Sequence, residues 1–220
     1  MPATGSSAPG KGARTTRTTK SSSRRRNRPG PRDRLLASAT HLFTTEGIRV
    51  IGIDRILRDA DVAKASLYSL FGSKDNLVVA YIEELDQNWR DEWEALCADL
   101  PKPEDRILAF FDKCIAEQPK ENFRGSHFQN AASEYPRPET PSENTIRDAA
   151  LAHRHWCRET MANLLTEKFG YASRTLADQL MVFLDGGIAG AKMSRTVSPL
   201  ETARELAKQM LYTAPMMYTI

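Results

Sequence analysis

From Arg32 almost to its end, the chain repeats its apolar side chains every three or four residues, and no stretch alternates apolar and polar as a half-buried strand would. A chain patterned in this way presents one apolar stripe per helix, and each stripe must pack on other helices, so the pattern predicts an all-α fold. Leu35, Leu36, Ala39, Leu42 and Phe43 form the stripe of a first helix that ends at Gly47, a residue able to take the left-handed C-cap conformation. Ile53, Ile56, Leu57 and Ala60 give two turns of a second helix, and Asp61 sits in a short turn. Leu67, Leu70 and Phe71 line a short third helix. Ser73 reads as the N-cap of a long fourth helix carrying Leu77, Tyr81, Leu85, Trp89 and Trp93.

Pro101 and Pro103 break the chain before Ile107, Leu108, Phe111, Cys114 and Ile115, which mark a helix ending near Pro119. Residues 119–145 are less regular, with a Gly125-Ser126-His127-Phe128 turn leading to a short helix up to Tyr135 and then Pro136, Pro138 and Pro141. A long helix fits residues 142–169, capped by Gly170. Residues 173–194 carry two apolar faces at once, and a last helix fits residues 200–212 after Pro199. Gly186, Gly187 and Gly190 lie inside the helical pattern, where small residues suit close helix packing better than a phosphate cradle. No internal repeat suggests a solenoid.

Charge divides the chain in two. Residues 1–31 hold eight Lys or Arg and no acid, leaving 23 basic against 28 acidic residues elsewhere. This tail contains no Leu, Ile, Val, Phe, Trp or Tyr, so it has nothing to bury against the entropy of ordering and is expected to be disordered. Its Arg24-Arg25-Arg26-Asn27-Arg28 run reads either as a phosphate-tracking arm or as a solvated extension. No apolar run approaches the roughly 18 residues needed to span a bilayer, and no apolar segment follows the basic N-terminus as a signal peptide requires. Cys97, Cys114 and Cys157 are odd in number and far apart. A cytoplasmic protein with reduced thiols and no membrane association is expected.

The second and third helices, joined by a tight turn and supported by the first, have the spacing of a helix-turn-helix. Residues 53–77, IDRILRDADVAKASLYSLFGSKDNL, resemble the DNA-binding head of the TetR family of bacterial transcriptional regulators. The resemblance rests on the apolar-x-x-Ile that opens helix 2, Val62-x-Lys64, Leu67-Tyr68-x-x-Phe71, and Ser73-Lys74 at the start of helix 4. It implies three parts: a basic tail over 1–31, a DNA-binding head over 32–82, and a helical ligand-binding and dimerisation body over 83–220. Three positions depart from the pattern. Ile51-Gly52 stands where a hydroxyl pair is usual, Asp61 replaces the turn glycine, and Leu70 replaces a common His. The DNA-contacting residues implied are Lys64, Ala65, Ser66, Tyr68, Ser69, Lys74 and Arg32. Lys74 and Tyr68 would meet phosphates, Lys64 a phosphate or a base edge, and the small residues would let helix 3 approach base edges.

The family also implies a homodimer on a pseudo-palindromic double-stranded operator, usually a repressor, released by a small-molecule effector. Dimerisation falls to residues 173–212, where a charge at Leu180 or Ile188 is expected to yield monomers. For the effector, Trp89, Trp93, Phe111, Cys114, Phe128 and Trp156 supply apolar surface, while His127, Glu134 and His153 supply sparse polar contacts. Such a composition suits a small, largely apolar molecule. The FRGSHFQNAASEYPRPETP stretch resembles one TetR-like subgroup. His153, His155 and Cys157 lie near one another in sequence but lack metal-ligand spacing, and no nucleophile-and-base motif or phosphate loop occurs. Neither a metal, a cofactor nor an enzymatic activity is expected. The rival readings are a non-specific basic DNA-binding protein without ligand control and an all-helical enzyme.

Overall fold

The computed structural model describes residues 28–217, so the expectation of a disordered tail falls almost wholly outside the described residues. Among those residues there are nine helices and no strand: α1 (Pro31–Glu46), α2 (Ile53–Ala60), α3 (Lys64–Phe71), α4 (Lys74–Cys97), α5 (Pro103–Glu117), α6 (His127–Glu134), α7 (Pro141–Phe169), α8 (Arg174–Ser194) and α9 (Ser198–Met217). No described helix is long and apolar enough to cross a membrane.

Local chemistry sets the helix ends. Ser73 Oγ accepts the Asn76 N–H at 3.0 Å at the start of α4, and Ser126 Oγ accepts that of Gln129 at 3.2 Å at the start of α6. Thr140 does the same for α7, with Pro141 supplying a first residue that needs no partner for its nitrogen. Asp61, in place of the turn glycine, takes the left-handed conformation itself, at φ 50° and ψ 54°. Arg34 then satisfies two carbonyls there, donating from Nη1 to Ala60 O at 2.9 Å and Asp61 O at 2.7 Å. The last helix differs from expectation. It starts at Ser198 and takes Pro199 into its first turn, where a missing N–H leaves no ladder bond unmade.

Two buried clusters hold the helices together. One gathers Leu35, Leu42, Phe43, Ile56, Leu67, Leu77 and Tyr81 of the first four helices, and it also takes in Phe128, Ala131 and Tyr135 around α6 and Ile146 and Ala150 of α7. The other joins α4, α5, α7, α8 and α9 around Phe110, Phe111, Met161, Leu165, Leu180 and Leu211. The expected boundary at residue 82 therefore lies within the continuous helix α4, and α6 and α7 share a core with the N-terminal helices.

Leu180 and Ile188 correct the sequence expectation. Both are buried within the chain's own core, at 0% and 7% exposure, so the two apolar faces of α8 on which they lie are filled by neighbours in the same chain. The small residues of α8 make this possible. A Cβ on Gly187 would come within 3.0 Å of Ala203 Cβ, and one on Gly190 within 2.7 Å of Pro199 Cβ, so α9 lies close against α8 along that face. Gly186 faces the other way, exposed and with nothing within 4 Å of a Cβ.

Candidate nucleic-acid interface and ligand cavity

α3 buries Leu67 and Phe71 and exposes Lys64, Ala65, Tyr68 and Ser69, with Ser66 half-buried. Leu70, which the spacing groups with the apolar stripe, is instead 43% exposed, so the solvent face of this eight-residue helix carries Lys64, Ala65, Tyr68, Ser69 and Leu70 together. Lys64 Nζ lies 3.8 Å from Asp54 Oδ1, with both side chains largely in solvent, so little holds that lysine in place. The Arg32 guanidinium sits over the Phe71 ring at 5.5 Å, which puts a cation from α1 beside the C-terminal end of α3. Lys74 is placed differently from the rest. Its Nζ donates to Ile48 O at 2.8 Å and lies 5.9 Å from the centre of the Phe43 ring, and burial lowers its pKa. It braces the α1–α2 loop as well as flanking the start of α4.

A cavity of about 290 Å³ opens among α4, α5, α6, α7 and α8. Of the residues expected to hold a ligand, it brings together Trp89, Cys114, His127, Phe128 and His153. Trp93, Phe111 and Trp156 lie outside the lining. Phe111 is fully buried core, and Trp93 and Trp156 form an edge-to-face aromatic cluster behind Trp89, with Trp89 to Trp156 at 5.8 Å and Trp93 to Trp156 at 5.6 Å between ring centres. Glu134 also lies outside the lining, two residues beyond Ala132 on α6. Its Oε1 accepts the Ile48 N–H at 2.9 Å and its Oε2 the Arg49 N–H at 2.7 Å.

The wall is more polar than the sequence suggests. Glu92, Glu117, Glu121 and Asp185 all line it, beside Asn88, Gln118, Gln129 and Arg154. Helical spacing puts these residues on solvated faces, and only the convergence of five helices brings their carboxylates to one cavity. Each is partnered. Lys113, itself buried, bridges Glu92 and Glu117; Arg154 Nε and Gln129 Nε2 hold Asp185 at 2.7 and 2.8 Å; Glu121 faces His127 at 3.2 Å. The apolar part of the wall is Leu85, Trp89, Phe128, Met181, Leu184 and Ile188.

His153 is held from three sides. Phe128 stacks on its ring at 3.7 Å between centres and 10° between planes, and Trp89 meets it edge-on at 4.9 Å. Its Nδ1 lies 2.8 Å from Asp86 Oδ1. Burial lowers the His153 pKa against the opposing pull of Asp86. For Asp86, burial alone would raise the carboxyl, but hydrogen bonds from His153 and Arg90 outweigh it and the net shift is downward. Among the described residues no three His, Cys, Asp or Glu side chains gather as a metal site.

Comparison with known proteins gives this geometry a family. Residues 35–81 match the model for bacterial regulatory proteins of the tetR family. A curated relative, an uncharacterized HTH-type transcriptional regulator of Mycobacterium tuberculosis, is 33% identical over 76 residues, 34% of this chain and only 38% of that protein's length. Over nearly the whole fold, the chain is 32% identical to a TetR-family transcriptional regulator from Streptomyces coelicolor, with a TM-score of 0.74 covering 83% of this chain and 94% of that one. A TetR transcriptional regulator from Chloroflexus aurantiacus shares the fold at 22% identity and a TM-score of 0.72, covering 83% and 94% of the two chains. With a helix-turn-helix at its N-terminus and a relative matched along almost its full length, the chain belongs to the TetR family of DNA-binding transcriptional regulators.

Proposed function

We propose that the protein is a homodimeric repressor whose hold on a pseudo-palindromic operator is released by a small molecule bound in the cavity of the 83–220 body. The observation that carries this reading is the position of α6. Its first turn, His127, Phe128 and Gln129, lines the cavity, and Glu134 near its last turn holds the loop between α1 and α2. A ligand that displaces α6 acts on the same helix that fixes the 32–82 head, so cavity occupancy and head orientation are linked through one rigid element. Arg49 adds a second tie between head and body through its 2.6 Å ion pair with Glu143 of α7.

On the DNA side, Lys64, Tyr68 and Arg32 are the proposed phosphate contacts, with Ala65, Ser66 and Ser69 against base edges in the major groove. Lys74 supports the loop and flanks the same surface. Two heads must stand about one helical turn, roughly 34 Å, apart to grip successive grooves. The dimer surface we infer is the outer face of α8 and α9. Thr175, Gln179, Val182, Gly186, Ala189 and Met193 recur at three- and four-residue steps and carry no charge, and α9 exposes the uncharged Leu206 and Gln209. Val182 and Met193 are 62% and 86% exposed, and with Gly186 and Ala189 between them on the same uncharged row they offer a continuous surface to a second copy.

The proposed ligand has an apolar body seated on Trp89, Phe128, Met181 and Leu184, with one or two polar groups directed toward the glutamates or Gln129. The test is a titration of candidate compounds with two readouts, intrinsic tryptophan fluorescence and operator binding. A compound that moves both over one concentration range supports the reading. Fluorescence change without any loss of DNA affinity contradicts it.

A further inference from the structure

Three side chains at the back of the cavity make a connected set that operator binding does not need. Asp86 Oδ1 lies 2.8 Å from His153 Nδ1, and His153 Nε2 lies 3.5 Å from Cys157 Sγ. His153 and Cys157 line the cavity, and Asp86 stands behind the imidazole, held from its other side by Arg90 at 2.6 Å. A carboxylate on Nδ1 keeps the proton on that nitrogen and leaves the Nε2 lone pair toward the thiol. Stacking by Phe128 and the edge contact of Trp89 hold the ring in this orientation. Cys114 lines the same cavity, yet among the described residues Cys157 is the cysteine with an imidazole on its sulfur.

We propose that Cys157 is a nucleophile that captures α,β-unsaturated carbonyl compounds entering the cavity, with His153 as its base and Asp86 positioning His153. The proposal deepens the effector reading of the cavity and rests on it. In the step, Cys157 Sγ bonds to the β-carbon of the enone while the C=C π pair moves onto the carbonyl oxygen as an enolate. The thiol proton passes to His153 Nε2, and the imidazolium returns it to the α-carbon. The product is a saturated ketone joined to the protein as a thioether, and no further reactant enters. An assisting base is needed because the apolar wall pushes the Cys157 thiol well above its ordinary value, leaving almost no thiolate near neutral pH. A soft electrophile with an apolar body suits both the sulfur and the Trp89, Phe128 and Leu184 surface around it.

The titratable groups facing the pair are Asp86 and Arg90 from α4, Lys113 and the neutral Cys114 thiol from α5, and Asp185 from α8. With burial holding His153 below its ordinary value, its Nε2 is free to accept a proton at neutral pH. The reaction rate then stays nearly flat from about pH 7 to about pH 8.5, whereas an unassisted thiol accelerates about tenfold per pH unit.

The experiment treats the full-length protein with phenyl vinyl ketone and locates the adduct by intact and peptide mass spectrometry across this pH range. One adduct at Cys157, with the flat profile, is the expected result. Cys157→Ser removes the adduct, and His153→Gln slows it and restores the tenfold rise per pH unit. Asp86→Asn slows it by about tenfold or more through the wrong tautomer. Faster labelling of Cys97 or Cys114, or a tenfold rise per pH unit in the unmodified protein, overturns the proposal without any variant having to fold. The saturated analogue propiophenone separates the two readings. An adduct at Cys157 with DNA still bound keeps the capture chemistry and sinks the effector reading. Operator release by propiophenone with no adduct from the enone does the reverse.

Discussion

Glu134 and Ile48 are 86 residues apart in sequence, and the carboxylate of the first accepts the backbone N–H of the second at 2.9 Å. Gly47 makes the approach possible. It adopts φ +110°, and a Cβ there would come within 3.2 Å of Glu134 Oε1. Arg49 N–H and Lys74 Nζ complete the arrangement, one donating to the same carboxylate and the other to the Ile48 carbonyl. The loop that begins the helix-turn-helix is thus held by a side chain from the helix that walls the cavity.

Removing that charge has two expected effects. Glu134→Gln leaves an N–H of the loop with a poorer acceptor and costs about 1 to 3 kcal/mol of stability by denaturant titration. It also weakens the ligand's effect on DNA affinity while leaving ligand binding itself intact, because the side chain does not line the cavity. Normal stability and normal release together in this variant would remove Glu134 from the mechanism.

The DNA face separates Lys64 from Lys74. Lys64→Ala lowers the slope of log affinity against log salt by about one and leaves stability within about 0.5 kcal/mol, since its ion pair with Asp54 is long and exposed to solvent. Lys74→Ala lowers DNA affinity and also lowers the thermal midpoint, because Ile48 O loses its donor. Tyr68→Phe weakens binding by about 0.5 to 1.5 kcal/mol, the worth of one hydrogen bond. Gel-shift affinities unchanged in all three would place the interface elsewhere.

The outer face of α8 offers a clean dimer test. Gly186→Arg meets open space in the single chain, so the variant keeps its helical spectrum, sediments as a monomer and binds the operator poorly. Leu180→Glu buries a charge in the core instead and costs more than about 3 kcal/mol. An intact dimer for folded Gly186→Arg would move the interface off this face.

Acid acts through Asp86 and His153. Both have lowered pKa values when folded, so each binds fewer protons in the native state than in the unfolded chain. Their contribution is present above the unfolded values and is lost as pH falls. For His153 the loss begins below 6.5, and for Asp86 below 3.8. The thermal midpoint should drop between about pH 7 and about pH 5.5, and His153→Gln should flatten that drop. An equal drop in the variant would show that other groups cause it.

Local rules made much of this fold readable in advance. Gly47, Asp61, Ser73 and Gly170 mark helix ends because each satisfies a backbone need within a few residues of itself. The stripes of α1 to α4 and the close α8–α9 contact at Gly187 and Gly190 follow from periodicity and side-chain size. What the pattern could not reveal depends on long-range convergence. Glu134 looks like a polar cavity residue until α6 is docked against Ile48, and Glu117 and Asp185 look solvent-facing until five helices meet. Leu180 and Ile188 lie on the two apolar faces of one helix, either of which a partner subunit or the same chain could cover, and periodicity carries no information about which.

The link through α6 is tested most directly by following tryptophan fluorescence and operator anisotropy in one titration, using DNA selected from random sequence. All three tryptophans sit in the cavity wall or the edge-to-face aromatic cluster behind it, so ligand binding is visible in the unlabelled protein. The prediction is coincident transitions in the unmodified protein, and in Glu134→Gln an unchanged fluorescence transition with DNA release lost or shifted to higher concentration. Coincident transitions in both proteins would contradict the coupling of cavity to head through Glu134.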